Sequence, residues 1–340
     1  MTGVSRPDRT PGLLSDAVVR TLQWRRTCGT LLLVLAVAAA YYATGRLGLL
    51  RQVVVGGAVV TPLWPPTGIA LAALLRFGPR VWPGFALGTY LAIEQISAFR
   101  PSDVGIVAGN VLAPLCALLL LRAAGFRPEL DRLRDGLALV FLGGLLPMLI
   151  SATAGTWTLV ITGNLPAGNF WPTWSAWWAG DTMGVLLVTP LLLALHWAPL
   201  PRDPLRVAEA AALTAATAAA TVLATHTTLS LLFLVFPLLI WAAVRFQLAG
   251  AAPCALIISV LAIWAATDHA GPFAGRSLLE TMVNLQALNG VAALTGLLLA
   301  ALVAEQNNVR LRIEEACEEL AEVVAQLSPG GGDGGPPGRL

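Results

Sequence analysis

Charged residues are scarce in this sequence: Asp, Glu and Arg make up 12% of 340 residues, and lysine is absent altogether. A soluble chain averages about 25% charged residues. The deficit, with 56% hydrophobic residues and a mean hydropathy of +0.74, makes a bilayer the main solvent. A net charge of +2 is too small for a nucleic-acid partner, and the arginines stand singly between apolar stretches instead of forming a patch. Cysteine and histidine are equally sparse. Cys28, Cys116, Cys254 and Cys317 lie far apart, three of them in or beside apolar runs, which excludes a disulfide framework and a zinc knuckle. The histidines are His196, His226 and His269, and there is no Gly-rich phosphate loop, HExxH pair or GxSxG elbow. No cofactor or metal is therefore expected. A carboxylate tuned by burial inside a bundle is the one enzymatic route left, and the chain is expected not to be an enzyme.

What the sequence does contain is apolar runs long enough to cross a hydrocarbon core of about 30 Å, which takes about 17 to 25 residues. The first, Cys28 to Leu50, follows Arg20, Arg25 and Arg26. It exceeds a signal-peptide core of about 7 to 15 residues and is expected to be an uncleaved span. Further runs centre near Ile69, Ala86, Ala117, Leu149, Leu186, Ala218, Leu238, Leu261 and Leu297. The expected fold is all-α, a polytopic transmembrane bundle of about ten spans. Eight or nine remain open, because Ile69/Ala86 and Ala218/Leu238 have very short connections. Run lengths and the lack of period-two alternation exclude lipid-exposed strands. The expected organisation is an N-terminal segment 1–27, a transmembrane bundle 28–304, a stalk helix 305–328 and a disordered tail 329–340.

Arginine placement orients the bundle, since short cytoplasmic loops carry the positive excess. With the N-terminus inside, only Arg46, Arg51, Arg100 and Arg276 fall at or near the outer side. Both termini are then cytoplasmic, in an inner (plasma) membrane. No outer loop exceeds about 20 residues, so an external signal must be received within the bundle. After the last span, Val309, Ile313, Ala316, Leu320, Val323 and Leu327 repeat with spacings of four and three, an a/d seam. One reading is a homodimeric stalk continuing the last span. The other is a helix lying on the membrane, against which its glutamates argue, because surface helices favour basic residues.

The second span opens on Trp64-Pro65-Pro66-Thr67-Gly68, and Trp82-Pro83-Gly84 opens the third. Paired prolines remove two helix donors, so the chain is extended or kinked there and its carbonyls need partners. Such backbone lines a cavity, or else simply starts a helix at the interface with Trp64 and Trp82 as belt residues. Ionisable residues within spans cost roughly 2.5 to 3.5 kcal/mol each at the bilayer centre and mark function. Glu94 and Asp181 are best placed. Asn110, Asp268, His269, Asn284 and Gln286 map to the same outer half or its rim, so a ligand or sensing level is expected at Trp64, Pro65, Pro66, Glu94, Asn110, Asp181 and Gln286. Arg245 is expected to snorkel to the cytoplasmic surface, with an ion pair within the bundle as the alternative.

These segments together resemble the membrane-associated sensor (MASE, first class) family, an integral membrane input domain of bacterial signalling proteins. The likeness is carried by Gly48 through Trp64-Pro65-Pro66-Thr67-Gly68-Ile69-Ala70, Arg80-Val81-Trp82-Pro83-Gly84 with Gly88, and Trp178-Ala179-Gly180-Asp181 through Gly184 to Pro190. It continues in Phe236-Pro237-Leu238-Leu239-Ile240-Trp241 with Arg245-Phe246, Gly271-Pro272-Phe273, and Leu285-Gln286 to Glu305. The resemblance implies detection of a stimulus and transmission through the last helix to a histidine kinase, diguanylate cyclase or phosphatase. Trp82, Pro83, Arg245, Val309, Ile313 and Leu320 would serve structure or transmission. Only about 35 residues follow the last span, so the output is expected on another polypeptide, or the chain is a stand-alone or truncated sensor. The alternative is a small-molecule transporter with a site near the Pro-broken second span. The missing inverted repeat and the coiled-coil exit argue against it.

Overall fold

The computed structural model describes residues 12–197, 203–227 and 231–327. The start of the expected 1–27 segment and the 329–340 tail lie outside them. Among the described residues the chain is mostly helical, and its strands form one β-hairpin. In order it forms α1 (Gly12–Leu49), β1 (Val53–Val55), β2 (Ala58–Val60), α2 (Pro65–Phe77), α3 (Trp82–Ile96) and α4 (Val104–Ala123). Then come α5 (Leu133–Ala138), α6 (Met148–Ile161), α7 (Phe170–Met183), α8 (Thr189–Trp197), α9 (Pro204–His226), α10 (Val235–Thr267) and α11 (Leu278–Leu327). π-Helical turns at Leu139–Leu145 and Gly184–Val188 join α5 to α6 and α7 to α8 into single long legs.

Seven helices among the described residues are long and apolar enough to cross a membrane. Integral membrane character follows. The expected centres at Ile69 and Ala86 fall on the shorter helices α2 and α3, of 13 and 15 residues. At 1.5 Å per residue these reach only about 20 to 23 Å. The centres at Leu238 and Leu261 both fall on α10, which is not one straight rod. Gln247 takes φ 51°, ψ −138°, and the chain doubles back there. Leu239 and Ala251 would lie about 18 Å apart on a straight helix, yet both sit within 4 Å of the position a side chain at Gly296 would occupy.

Prolines and an aspartate set the helix starts. Pro65 and Pro66 occupy the first turn of α2, where a missing N–H costs nothing. Asp203 caps α9 by accepting from the Leu205 N–H at 3.0 Å. The hairpin pairs Val53 with Val60 and Val55 with Ala58 around Gly56-Gly57. Their φ values of 64° and 101° are the positive angles that a tight two-residue turn demands. Val-Val-Val-Gly-Gly-Ala-Val-Val carries that signal, though helical run length alone passes over it.

Contacts distinguish the two ends of the bundle. At one end Gln286, early in α11, donates to the Pro62 carbonyl at 2.8 Å. Arg51 there pairs with Asp268 and lies 4.1 Å over the Trp264 ring, tying the end of α1 to the end of α10. At the other end Glu305 of α11 accepts from the Leu133 N–H at 2.8 Å, and Asn308 donates to Asp131 at 3.2 Å. Gln286 and Glu305 are about 28 Å apart along the helix, close to one hydrocarbon thickness. Beyond Asn308 the helix runs clear of the bundle. Val309, Ile313, Leu320 and Val323 on its seam are each about half exposed or more.

Candidate functional site

The crossing of α2 over α7 organises the end remote from the stalk. A Cβ on Gly180 would run into the Thr61 carbonyl, one on Gly184 into the Trp64 carbonyl, and one on Gly68 into the Gly184 carbonyl. Only glycine lets the backbones come this close, the small-xxx-small device of membrane helices. Gly84 and Gly88 bring α3 equally close to α1, at Val34 and Tyr41. The close approach brings hydrogen bonds with it: the Trp64 N–H donates to the Gly180 carbonyl at 3.0 Å, and the side-chain hydroxyl of Thr189, at the start of α8, donates to the Gly68 carbonyl at 3.0 Å. Both bonds are made between protein groups, at a depth where a bilayer offers no partner.

Asp181 sits next to this crossing and is 1% exposed. Its Oδ1 accepts from the Thr67 hydroxyl and its Oδ2 from the Ser151 hydroxyl, both at 2.7 Å, and the Trp177 indole stands beside it. Both hydroxyls can donate to a carboxylate, and the indole nitrogen can only donate. Ser151 also lies 3.3 Å from Asn110 Oδ1. It has one proton to give, and the shorter contact to Asp181 takes it. Asn110 Nδ2 is committed to the Ile106 carbonyl at 3.0 Å. Tyr41, also 1% exposed, brings its hydroxyl against the Thr89 hydroxyl and the Trp64 indole.

Asp181 and Asn110 lie at the floor of a cavity of about 340 Å³, with Trp64 and Trp177 on its walls. The sides are apolar, including Ile93, Ile106 and Leu159, and Val60 of the hairpin closes one flank. At the exposed rim stand Ser97, Arg100 and Asn164. Arg100 donates to Asn164 Oδ1 at 3.3 Å, while the buried Asp103 carboxylate accepts from the Arg100 N–H at 2.8 Å. A mainly apolar concavity with a few convergent polar groups is the usual form of a small-molecule site.

The expected polar level is thus divided. Trp64, Asn110 and Asp181 share the cavity, with Pro65 and Pro66 starting the helix beside it. Glu94 does not join them: α3 ends two residues later, and Glu94 turns outward to accept from the Phe99 N–H at 3.1 Å. Gln286 approaches from behind, through Pro62, with its own Oε1 buried and unpartnered. Asn289, one turn on, is fully buried with neither amide atom hydrogen-bonded. Asp268 is held by Arg51 at the rim. Trp82 is 48% exposed at the start of α3, followed by Pro83 within its first turn. The Arg245 side chain is 45% exposed and forms a two-pronged surface ion pair with Glu209 of α9, Nε to Oε1 at 2.8 Å and Nη2 to Oε2 at 3.0 Å, rather than a pair inside the bundle. Sequence reasoning missed the donors Thr67, Ser151 and Trp177 and the rim residues Arg100 and Asp103.

Comparison with known proteins follows these features. The family model MASE1 matches residues 32–307. A curated protein described as probable diguanylate cyclase DgcE, from Escherichia coli (strain K12), is 30% identical over 203 residues. That alignment covers 56% of this chain and 17% of the relative, so the chain spans about a sixth of the relative's length. No solved structure matches the chain. The match over most of the bundle establishes that this chain belongs to the MASE1 family of membrane sensory domains.

Proposed function

We propose that this chain is a sensory input module whose stimulus is received in the Asp181 cavity and passed along α11 to a cytoplasmic signalling output. The chain itself catalyses no reaction in this reading. The observation that carries it is the reach of α11, which touches Pro62 behind the cavity through Gln286 and the α5 entry loop through Glu305. A ligand that prefers one arrangement of the α2–α7 crossing would shift α11 by its difference in affinity for the two arrangements, and by no more. The family and the diguanylate cyclase relative make a cyclase the leading output class, with a histidine kinase or phosphatase as other members of the same kind. In the membrane we place ten passes, counting α10 as two, with both termini on the cytoplasmic side of a plasma membrane, as the arginines ask.

The output reads a dimer in this scheme, joined through Val309, Ile313 and Leu320. Three heptads alone are marginal, so the bundles contribute to pairing as well. Val309→Cys and Ile313→Cys should each crosslink in native membranes. Crosslinking at neither position would remove the dimeric stalk. Asp181→Asn, placed in the Ile313→Cys background, should change the crosslinking yield; an unchanged yield would remove the link from cavity to stalk.

A further inference from the structure

The floor of the cavity carries more acceptor than the protein satisfies. Among the charged residues lining it, one arginine stands against two aspartates. Arg100 and Asp103 are neighbours at the rim, Asp103 bound to the Arg100 backbone and the Arg100 guanidinium to Asn164. Asp181 below them is held by two neutral hydroxyls, and no arginine or histidine pairs with it among the described residues. A buried carboxylate without a counter-charge is costly even when hydrogen-bonded. Beside it, Asn110 Oδ1 has only the 3.3 Å contact from Ser151, whose single proton goes to Asp181.

Both unfilled groups are therefore acceptors, one of them negative, and two indoles, Trp64 and Trp177, flank them. We propose that the cavity binds a small primary organic ammonium ion. Its N–H groups divide between Asp181 and Asn110, its charge lies against the tryptophan faces, and its apolar body lies along Ile93, Ile106 and Leu159. A quaternary ammonium supplies charge without N–H donors, and an alcohol supplies a donor without charge. The site discriminates against both. This inference rests on the cavity being the sensing site, and names the class of molecule sensed.

Equilibrium dialysis of radiolabelled n-butylamine against the purified full chain tests it. Saturable binding at one site per chain is expected, with unlabelled 1-butanol and butyltrimethylammonium competing at least tenfold less well than n-butylamine. Asp181→Asn keeps the shape and should weaken binding at least tenfold; Asn110→Leu should weaken it several-fold. Ile106→Trp fills the cavity but leaves the polar floor untouched, and should also abolish binding in a chain that elutes as a single species. Equal competition by butyltrimethylammonium, full binding by Asp181→Asn, or no saturable binding by the parent chain would each overturn the proposal. Crosslinking at Ile313→Cys is scored separately. A yield that responds to Asp181→Asn while n-butylamine fails to bind overturns the ligand class and leaves the sensing role standing. Binding of n-butylamine with an unmoved yield supports the ligand class and overturns transmission.

Discussion

The two ends of this bundle solve opposite problems. At the cavity end, polar groups are buried: Asp181, Asn110, Ser151 and Thr67 are each less than 10% exposed, and most of their bonds are to one another. At the stalk end, apolar groups are exposed, with Ile313 at 58% and Leu320 at 65%. A buried polar network is rigid when satisfied and costly when half satisfied. An exposed apolar seam has its stabilisation still to gain, through a partner. In the function proposed above, specificity belongs to one end and assembly to the other. α11 runs from one to the other and on into the seam.

The largest expected effect breaks the cavity end outright. In Gly184→Leu, the new side chain meets the Trp64 carbonyl, and no flexible neighbour is there to yield. Overpacking of this kind costs about 1–3 kcal/mol or more. Here it also separates Trp64 from its backbone partner at Gly180. Fluorescence-detected size exclusion should show loss of the monodisperse species, and a thermal melt of what remains should fall by many degrees. Gly29→Leu, in a stretch where a Cβ meets nothing within 4 Å, should behave as the parent chain. A monodisperse, fully stable Gly184→Leu would mean that the α2–α7 approach does not hold the cavity end together.

That crossing also marks how far the sequence could be read. Of the two readings of Trp64-Pro65-Pro66, the start of a helix is the one found, and a carboxylate at Asp181 amid tryptophan and glycine announced a polar site in α7, because a buried carboxylate is costly in a bilayer without a purpose. Their contact was not legible, since it depends on Gly180 and Gly184 being opposite Thr61 and Trp64. The donors escaped for a different reason. Serines and threonines in apolar helices usually bond their own i−4 carbonyl, as Thr89, Thr158 and Thr221 do. Nothing local separates those from Thr67 and Ser151, which reach across to Asp181. Glu94 was misplaced because it stands in the last turn of a helix whose end, at Ile96, carries no cap signal in its sequence. The reversal within α10 was half visible: Arg245 interrupted the apolar run there, while the left-handed Gln247 that makes the turn is a residue type without a special claim on that conformation.

A smaller effect is expected where α11 leaves the bundle, at the boundary between the two regimes. Glu305 takes the first free N–H of α5, that of Leu133, and a carboxylate there also complements the positive end of the helix dipole. Glu305→Ala leaves that N–H without its partner, a loss of about 1 kcal/mol, and frees the stalk from the entry loop on that side. Glu305→Gln retains an acceptor and should lose only part of it. The melting temperature should fall by a few degrees for Glu305→Ala and less for Glu305→Gln. The Ile313→Cys crosslinking yield should shift in the same order. A yield that ignores both variants would show that the stalk is read independently of the α5 loop, and the two ends would then be less coupled than α11 suggests.

The smallest effect is expected at Arg245, and it sharpens the comparison by showing what a polar contact contributes when water reaches it. The pair with Glu209 has the two-pronged geometry that makes arginine–carboxylate contacts specific, and it joins the turn of α10 to the start of α9. Its side chains are 45% and 30% exposed, so solvent and salt screen the attraction, and such pairs contribute about 0–1 kcal/mol. The turn itself is held by close packing, with Gly250 against Phe246 and the Ala242 carbonyl. Arg245→Ala should therefore lower the melting temperature by no more than a few degrees, and the difference should shrink further in high salt. A collapse as severe as that of Gly184→Leu would mean that the ion pair, and not the glycine contact, sets the reversal, and that polar contacts hold the fold at the stalk end as firmly as at the cavity end.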